Sequence, residues 1–104
     1  LELTITSRRA DLTNSMKEYA EEKVSKLDRY YDRIISTDVI IDQESAEQHR
    51  VEIVVRADHK QTFVAHVDAS TFYEAMDLVI DKIGRQLSTH KDKVRNRKKS
   101  NKAG

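Results

Sequence analysis

Asp77 and Asp81 stand four residues apart in a segment of helical period. At that spacing two carboxylates share a helix face and could hold a divalent cation or divide general-acid and general-base roles. Their setting argues otherwise. They fall in the acidic start of a helix, where carboxylates complement the dipole and face water. The four histidines, His49, His59, His66 and His90, show no ligand spacing, and there is no cysteine to serve as nucleophile or zinc thiolate. No phosphate-binding Gly-rich loop, G-x-S-x-G elbow or dinucleotide fingerprint occurs. The expectation is a protein that performs no catalysis and takes no metal or organic cofactor.

The chemistry that the residue types do support is charge recognition. The stretch HKDKVRNRKK, residues 90–99, packs six strong bases and one acid into ten positions. The net charge of +1 conceals the asymmetry. Residues 1–81 hold ten Lys/Arg against seventeen Asp/Glu, a balance of −7; residues 82–104 hold nine against one, a balance of +8. A block of that kind is a polyanion contact or a solubilising tail.

The elements that would position these bases follow from periodicity. LELTITS alternates as a half-buried strand. After the connector SRRADLT, with Thr13 as helix cap, the spacing changes to three and four: Met16, Tyr19, Ala20, Val24, Leu27, Tyr30 and Tyr31 mark an amphipathic helix from Asn14 to about Asp32. ISTDVIID, RVEIVVRA and TFVAHVDA read as three further strands, separated by a polar loop ESAEQH and a short turn DHKQ. Ser70 or Thr71 can cap a second helix, with Phe72, Met76, Val79, Ile80, Ile83, Leu87, His90 and Val94 as its apolar stripe. Gly84 lies inside that helix at a cost of about 1 kcal/mol relative to Ala.

The order β-α-β-β-β-α predicts an α+β, two-layer sandwich: a four-stranded sheet with both helices on one face. Thr4, Thr6, Val54, Arg56, Val64 and His66 would lie on the open face. Residues 1–94 form one domain, and 95–104 are expected to be a basic, disordered tail. Hydrophobic residues make up 38% of the chain, enough for one core, and no apolar run is long enough to span a membrane. The lack of cysteine fits a reducing, cytoplasmic setting.

At 100° per residue, Lys26, Arg29 and Arg33 cluster on one flank of the first helix, with Lys23 at the edge of the apolar stripe. Lys82, Arg85 and Lys93 take a comparable flank of the second, with Gln86 and Thr89 between them. Glu18, Glu21, Glu22 and Asp28 make the first helix mixed in charge, and Glu22 can pair with Lys26. Tyr30 or Tyr31 could stack on bases, while one of the two belongs to the core.

The segments MKEYAEEKVSKLDRYYDRI and FYEAMDLVIDKIGRQLSTHKDK, together with the opening LTITS, closely resemble the ribosome hibernation promoting factors, also called the protein Y or ribosome-associated inhibitor family. The resemblance runs from Leu1 to about Val94. It implies a fold similar to double-stranded RNA-binding domains. It also implies binding to the small ribosomal subunit and its rRNA in the mRNA/tRNA channel, which stops translation in stationary phase or stress. Short members promote inactive ribosome dimers with a second dimerising factor, and this chain resembles the short form, a monomer when free. The basic positions of the family's helices match Lys23, Lys26, Arg29, Lys82, Arg85, Lys91 and Lys93, for which rRNA contact is expected, foremost at Lys26, Lys82 and Arg85. Thr71-Phe72-Tyr73 departs from the family's usual Asp-Met-Tyr, but Thr also caps and Phe is also apolar. The competing expectations are a generic double-stranded RNA-binding module or a protein-interaction domain that uses the open sheet face.

Overall fold

Alternating apolar and polar residues become four strands, and the two runs of helical period become helices that cover one side of them. The computed structural model describes the backbone of residues 2–103 and the side chains of residues 2–96. The order is β1 (Glu2–Arg8), α1 (Asn14–Ser25), a 3₁₀ turn (Lys26–Arg29), β2 (Ile34–Ser45), β3 (Gln48–Ala57), β4 (Thr62–Ala69) and α2 (Phe72–Ala103). The sheet order is β1-β2-β3-β4. β1 runs parallel to β2 across the α1 connection, whereas β2, β3 and β4 form an antiparallel meander. The predicted α+β sandwich is the observed one.

Each helix starts at a threonine. The Thr13 hydroxyl accepts from Met16 N–H at 3.1 Å, and the Thr71 hydroxyl accepts from Glu74 N–H at 3.2 Å. These caps satisfy amide donors that the first helical turn leaves unpaired. Of the two expected cap residues for α2, Thr71 takes the role; the Ser70 hydroxyl donates instead to the Glu74 carboxylate.

The core is built from rows of the sheet. Val39, Ile41, Val51, Ile53 and Val55 point to the helix side and are fully buried beneath Ala20, Val24, Leu27, Met76, Val79, Ile83 and Leu87. Thr4, Thr6, Val54, Arg56, Val64 and His66 lie on the opposite, uncovered face, as their alternation predicts.

Two predicted boundaries move. The α-helical part of α1 ends at Ser25 and tightens into the 3₁₀ turn, rather than continuing to Asp32. Leu27 carbonyl then accepts from both Tyr30 N–H (2.9 Å) and Tyr31 N–H (3.2 Å), which closes the helix end. The expected loop ESAEQH is mostly strand: Glu44 and Ser45 extend β2, Gln48 and His49 begin β3, and only Ala46 and Glu47 turn. A register shift between Gln43 and Ser45 lets the ladder run to the turn. Polarity there reflects exposure on both faces of a sheet corner, not the loss of hydrogen bonding.

α2 continues by backbone past Val94 to Ala103. The side chains from residue 97 onward, most of the tail expected over 95–104, lie outside the described residues.

The helices are parallel. Tyr19 meets the Phe72 and Tyr73 rings at centroid distances of 6.3 and 4.9 Å, Lys23 meets Asp77, and Tyr30 lies over Gly84. The offset between partners stays nearly constant, so both chains advance in the same direction. Gly84 is where they come closest: a Cβ built there would stand 3.1 Å from two carbons of the Tyr30 ring. The glycine that weakens α2 locally is the seat for that ring. Tyr31, its neighbour, is the core tyrosine, and its hydroxyl donates to Asp58 at 2.8 Å.

One core position is not well matched. Thr37 on β2 is fully buried and its hydroxyl has no hydrogen-bond partner among the described residues. Valine has the same shape without the polar atom. Thr37→Val is therefore expected to stabilise the fold by about 1 kcal/mol, read as a rise in Tm of about 4–8 °C. An unchanged or lower Tm would show that the hydroxyl is satisfied in solution.

Candidate nucleic-acid interface

The seven bases expected to contact RNA do not form one uniform patch. They divide by what the fold places beside them.

Lys23 is in the α1–α2 junction. Its ammonium is 3.3 Å from Asp77 and 5.3 Å from the centre of the Tyr19 ring. The same Asp77 carboxylate accepts a short hydrogen bond from the Tyr19 hydroxyl. That hydrogen bond, followed by Lys23, holds Asp77 below the usual carboxylate range; in return the Asp77 contact raises both Lys23 and Tyr19. Lys23 is thus already partnered. Asp77 is a junction residue and not half of an acid pair with Asp81, which borders a different groove beside Tyr30 and Arg85.

Lys26 sits half-buried in the 3₁₀ turn, close enough to help lower Asp77. No carboxylate lies within ion-pair distance of it among the described residues, and the expected Glu22–Lys26 pair does not form. Arg29 is exposed at the end of the same turn and likewise has no ion pair among the described residues. Arg33 departs from the expected flank. Because the helical turn ends at Arg29, Arg33 lies just ahead of β2 and pairs with Asp58 at 3.3 Å.

On α2, Lys82, Arg85 and Lys93 are exposed and have no ion pair among the described residues. Lys82 and Gln86 lean toward the sheet edge. Lys82 Nζ donates to His66 carbonyl at 3.4 Å and Gln86 Nε2 donates to Val64 carbonyl at 3.0 Å. Both acceptors belong to β4, so these side chains cover carbonyls that an edge strand would otherwise leave open. Arg85 and Lys93 line the groove beside them, together with Phe63 and His90. Asp81 and Asp92 flank Arg85 on its other side. Lys91 falls on the opposite flank of α2, two residues and hence about 200° from Lys93. It joins Arg33 and Arg95 near Tyr31.

The structure therefore brings Lys82, Arg85 and Lys93 together on one side of α2. It leaves Lys26 and Arg29 on the turn that meets α2 at Gly84, about 200° in helical phase from Lys82, assigns Lys23 to Asp77, and turns Lys91 away. Sequence periodicity did not reveal the Phe63–His90 groove. Phe63 reads as a core residue of β4, and only the packing of α2 on β4 brings it within 5.3 Å of the His90 ring.

The open face of the sheet is different in kind. Arg50 forms a two-pronged contact with Asp68 (2.8 and 3.1 Å), Arg56 meets Asp38 at 2.7 Å, and Arg9 meets Asp42 at 2.7 and 2.9 Å. These hydrogen bonds lower Asp42 and Asp68, as the Tyr31 hydroxyl does Asp58. A carboxylate lowered on folding contributes stability above its unfolded pKa and loses it as pH falls through the folded value. Tm is expected to be flat from neutral pH to about 5 and to fall below about pH 4. Asp58→Asn should flatten that decline; a Tm constant down to pH 3 would refute the linkage.

Among the described residues, no group of three His, Asp or Glu side chains could hold a metal ion, and no helix is long and apolar enough to cross a membrane.

A family profile described as Sigma 54 modulation protein / S30EA ribosomal protein matches residues 3–95. The chain is similar to the ribosome hibernation promoting factor of Azotobacter vinelandii, at 36% identity over 93 residues, covering 89% of this chain and 85% of the relative. It is 30% identical over 95 residues to the factor of that name from Escherichia coli K12, covering 91% and 98%. Among solved structures, the Thermus thermophilus Protein Y N-terminal domain has a TM-score of 0.78 at 22% identity, covering 86% of this chain and 99% of that one. A ribosomal subunit interface protein from Coxiella burnetii has 0.77 at 23%, covering 88% and 99%. These last two likenesses concern the fold.

Proposed function

The chain belongs to the Sigma 54 modulation protein / S30EA ribosomal protein family, and from that premise we propose that it is a ribosome hibernation factor. In this reading it binds small-subunit rRNA in the mRNA/tRNA channel and silences translation in stationary phase or stress. With a second factor it promotes inactive ribosome dimers. The observation that carries the reading is the exposed set Lys82, Arg85 and Lys93 on one side of α2, without ion pairs among the described residues; Lys26 and Arg29, on the turn that meets the Gly84 face of the same helix, are further bases without ion pairs among them. Such bases are available to phosphates, and counterion release then drives association. Lys23 and Lys91 are secondary contacts: the first would have to leave Asp77, and the second faces the other flank of α2.

The mechanism is occlusion without chemistry. A rigid two-layer domain holds its bases on a preformed surface, so little ordering entropy opposes binding. Its bulk then excludes tRNA and mRNA. Cosedimentation with purified small subunits across a salt series tests this. With six to eight phosphates engaged, affinity should fall by about 10³–10⁴ between 50 and 200 mM salt. Bound tRNA or mRNA should compete, and an isolated RNA duplex should bind weakly. A flat salt profile, or tighter binding to the duplex than to the subunit, would contradict the reading; the latter would favour a generic duplex-binding module.

A further inference from the structure

The groove between α2 and the edge strand β4 combines features that phosphate contact alone does not need. Its floor is aromatic: Phe63 and His90 are half-buried, with ring centroids 5.3 Å apart and planes at 65°. Tyr31 also packs edge-to-face with His90, at 5.2 Å between centroids, and helps to hold that ring in place. Along the rim, Gln86, Thr89 and Lys93 follow one another at spacings of three and four, so they line one face of α2. The Gln86 amide nitrogen is committed to Val64 carbonyl, which orients the side chain and leaves its oxygen as a free acceptor. Arg85 and Lys93 stand at the rim without ion pairs among the described residues. The cavity volume is about 470 Å³, within the range of about 300–1,000 Å³ typical of small-ligand sites.

An aromatic floor, a fixed amide, an exposed hydroxyl and two cations at the rim together match a nucleotide. We propose that this groove receives one unstacked base of an RNA strand, with Arg85 and Lys93 on its flanking phosphates. The inference rests on the RNA-binding reading above and adds to it a preference for an unpaired nucleotide. A base inside a duplex has both faces stacked and cannot lie on the Phe63–His90 floor, whereas a base splayed from a loop or single strand can. An acidic peptide could satisfy the cations but has no use for the aromatic floor.

The test uses an eight-nucleotide single-stranded RNA with a central 2-aminopurine and the same strand abasic at that place, both at low salt. The intact protein should bind the base-containing strand about tenfold tighter than the abasic one, as stacking of one base on an aromatic side chain predicts. The 2-aminopurine emission should be quenched on binding. Thr89→Leu adds apolar bulk to the groove from an exposed position without adding a ring on which a base could stack, and leaves Arg85 and Lys93 in place. It should bind both strands alike, at the level of the abasic strand. Phe63→Leu, checked for folding by its Tm, should lose the preference in the same way. Equal affinity of the unaltered protein for both strands, no measurable binding of the base-containing strand, or a preference that persists in Thr89→Leu would overturn the proposal. Cosedimentation of the unaltered protein with small subunits, run in parallel, separates failure of the groove from failure of the ribosome-binding reading. An acidic peptide of equal charge that displaces both strands equally well would also count against base recognition.

Discussion

Reversing charge at Lys82 and Arg85 together, Lys82→Glu with Arg85→Glu, is expected to weaken small-subunit binding by about 100- to 1,000-fold at low salt. Two phosphate contacts are lost and two repulsions replace them, so the slope of log affinity against log salt should also become shallower by about two units. Folding should change little. Both side chains are exposed, neither forms an ion pair among the described residues, and Lys82 gives up only a long contact to the His66 carbonyl. Lys17→Glu, on an exposed turn of α1 outside the proposed set, is the matched control and should bind nearly as the unaltered protein does. A double variant that still sediments with small subunits would remove the cationic face of α2 from the mechanism and favour protein interaction through the open sheet.

Leu27→Ala is expected to cost about 3 kcal/mol of stability, a fall in Tm of about 12–24 °C for a domain of this size. Leu27 is fully buried, and its own carbonyl holds the amides of Tyr30 and Tyr31. Truncation leaves a cavity under the turn that carries Lys26, Arg29 and Tyr30. The defect should therefore reach function. Below its melting temperature the variant should bind small subunits more weakly than an equally destabilised variant at Val51, which lies far from the turn under the sheet centre. Thermal unfolding and subunit binding, measured on both variants, check the two parts separately; equal binding losses would disconnect the turn from the interface.

Much of the fold was legible because its signals are local. Alternation in β1, β3 and β4, the threonine caps and the stripe of α2 each depend on residues within a few positions of one another. The faces of the sheet followed from the same alternation. The end of α1 was not legible, because Tyr30 and Tyr31 keep an apolar pattern going after the α-helix has tightened at Lys26. Tyr31 leaves the helix to reach Asp58, and Tyr30 to lie on Gly84, and both partners are distant in sequence. The polar hairpin at Ala46 and Glu47 resembled a loop because its ladder hydrogen bonds leave no trace in residue type.

The candidate site was legible as a set of charges but not as a set of available charges. Helical phase placed Lys82, Arg85 and Lys93 together. It could not tell that Asp77 would claim Lys23 or that Asp58 would claim Arg33, since those pairings arise between elements. Lys91 came with the family pattern, although its phase opposes that of Lys93. Gly84 counted only as a loss of helix propensity until the Tyr30 ring gave it a purpose.

On the uncovered side of the sheet, Arg9, Arg50 and Arg56 are each clasped by an aspartate. Their charge is spent within the molecule. That face therefore offers a polyanion far less than its arginines suggest: of Arg8, Arg9, Arg50 and Arg56, Arg8 alone has no ion pair among the described residues. A strand of nucleic acid that drifts against this side meets charge already matched, and should be displaced from it at lower salt than from α2.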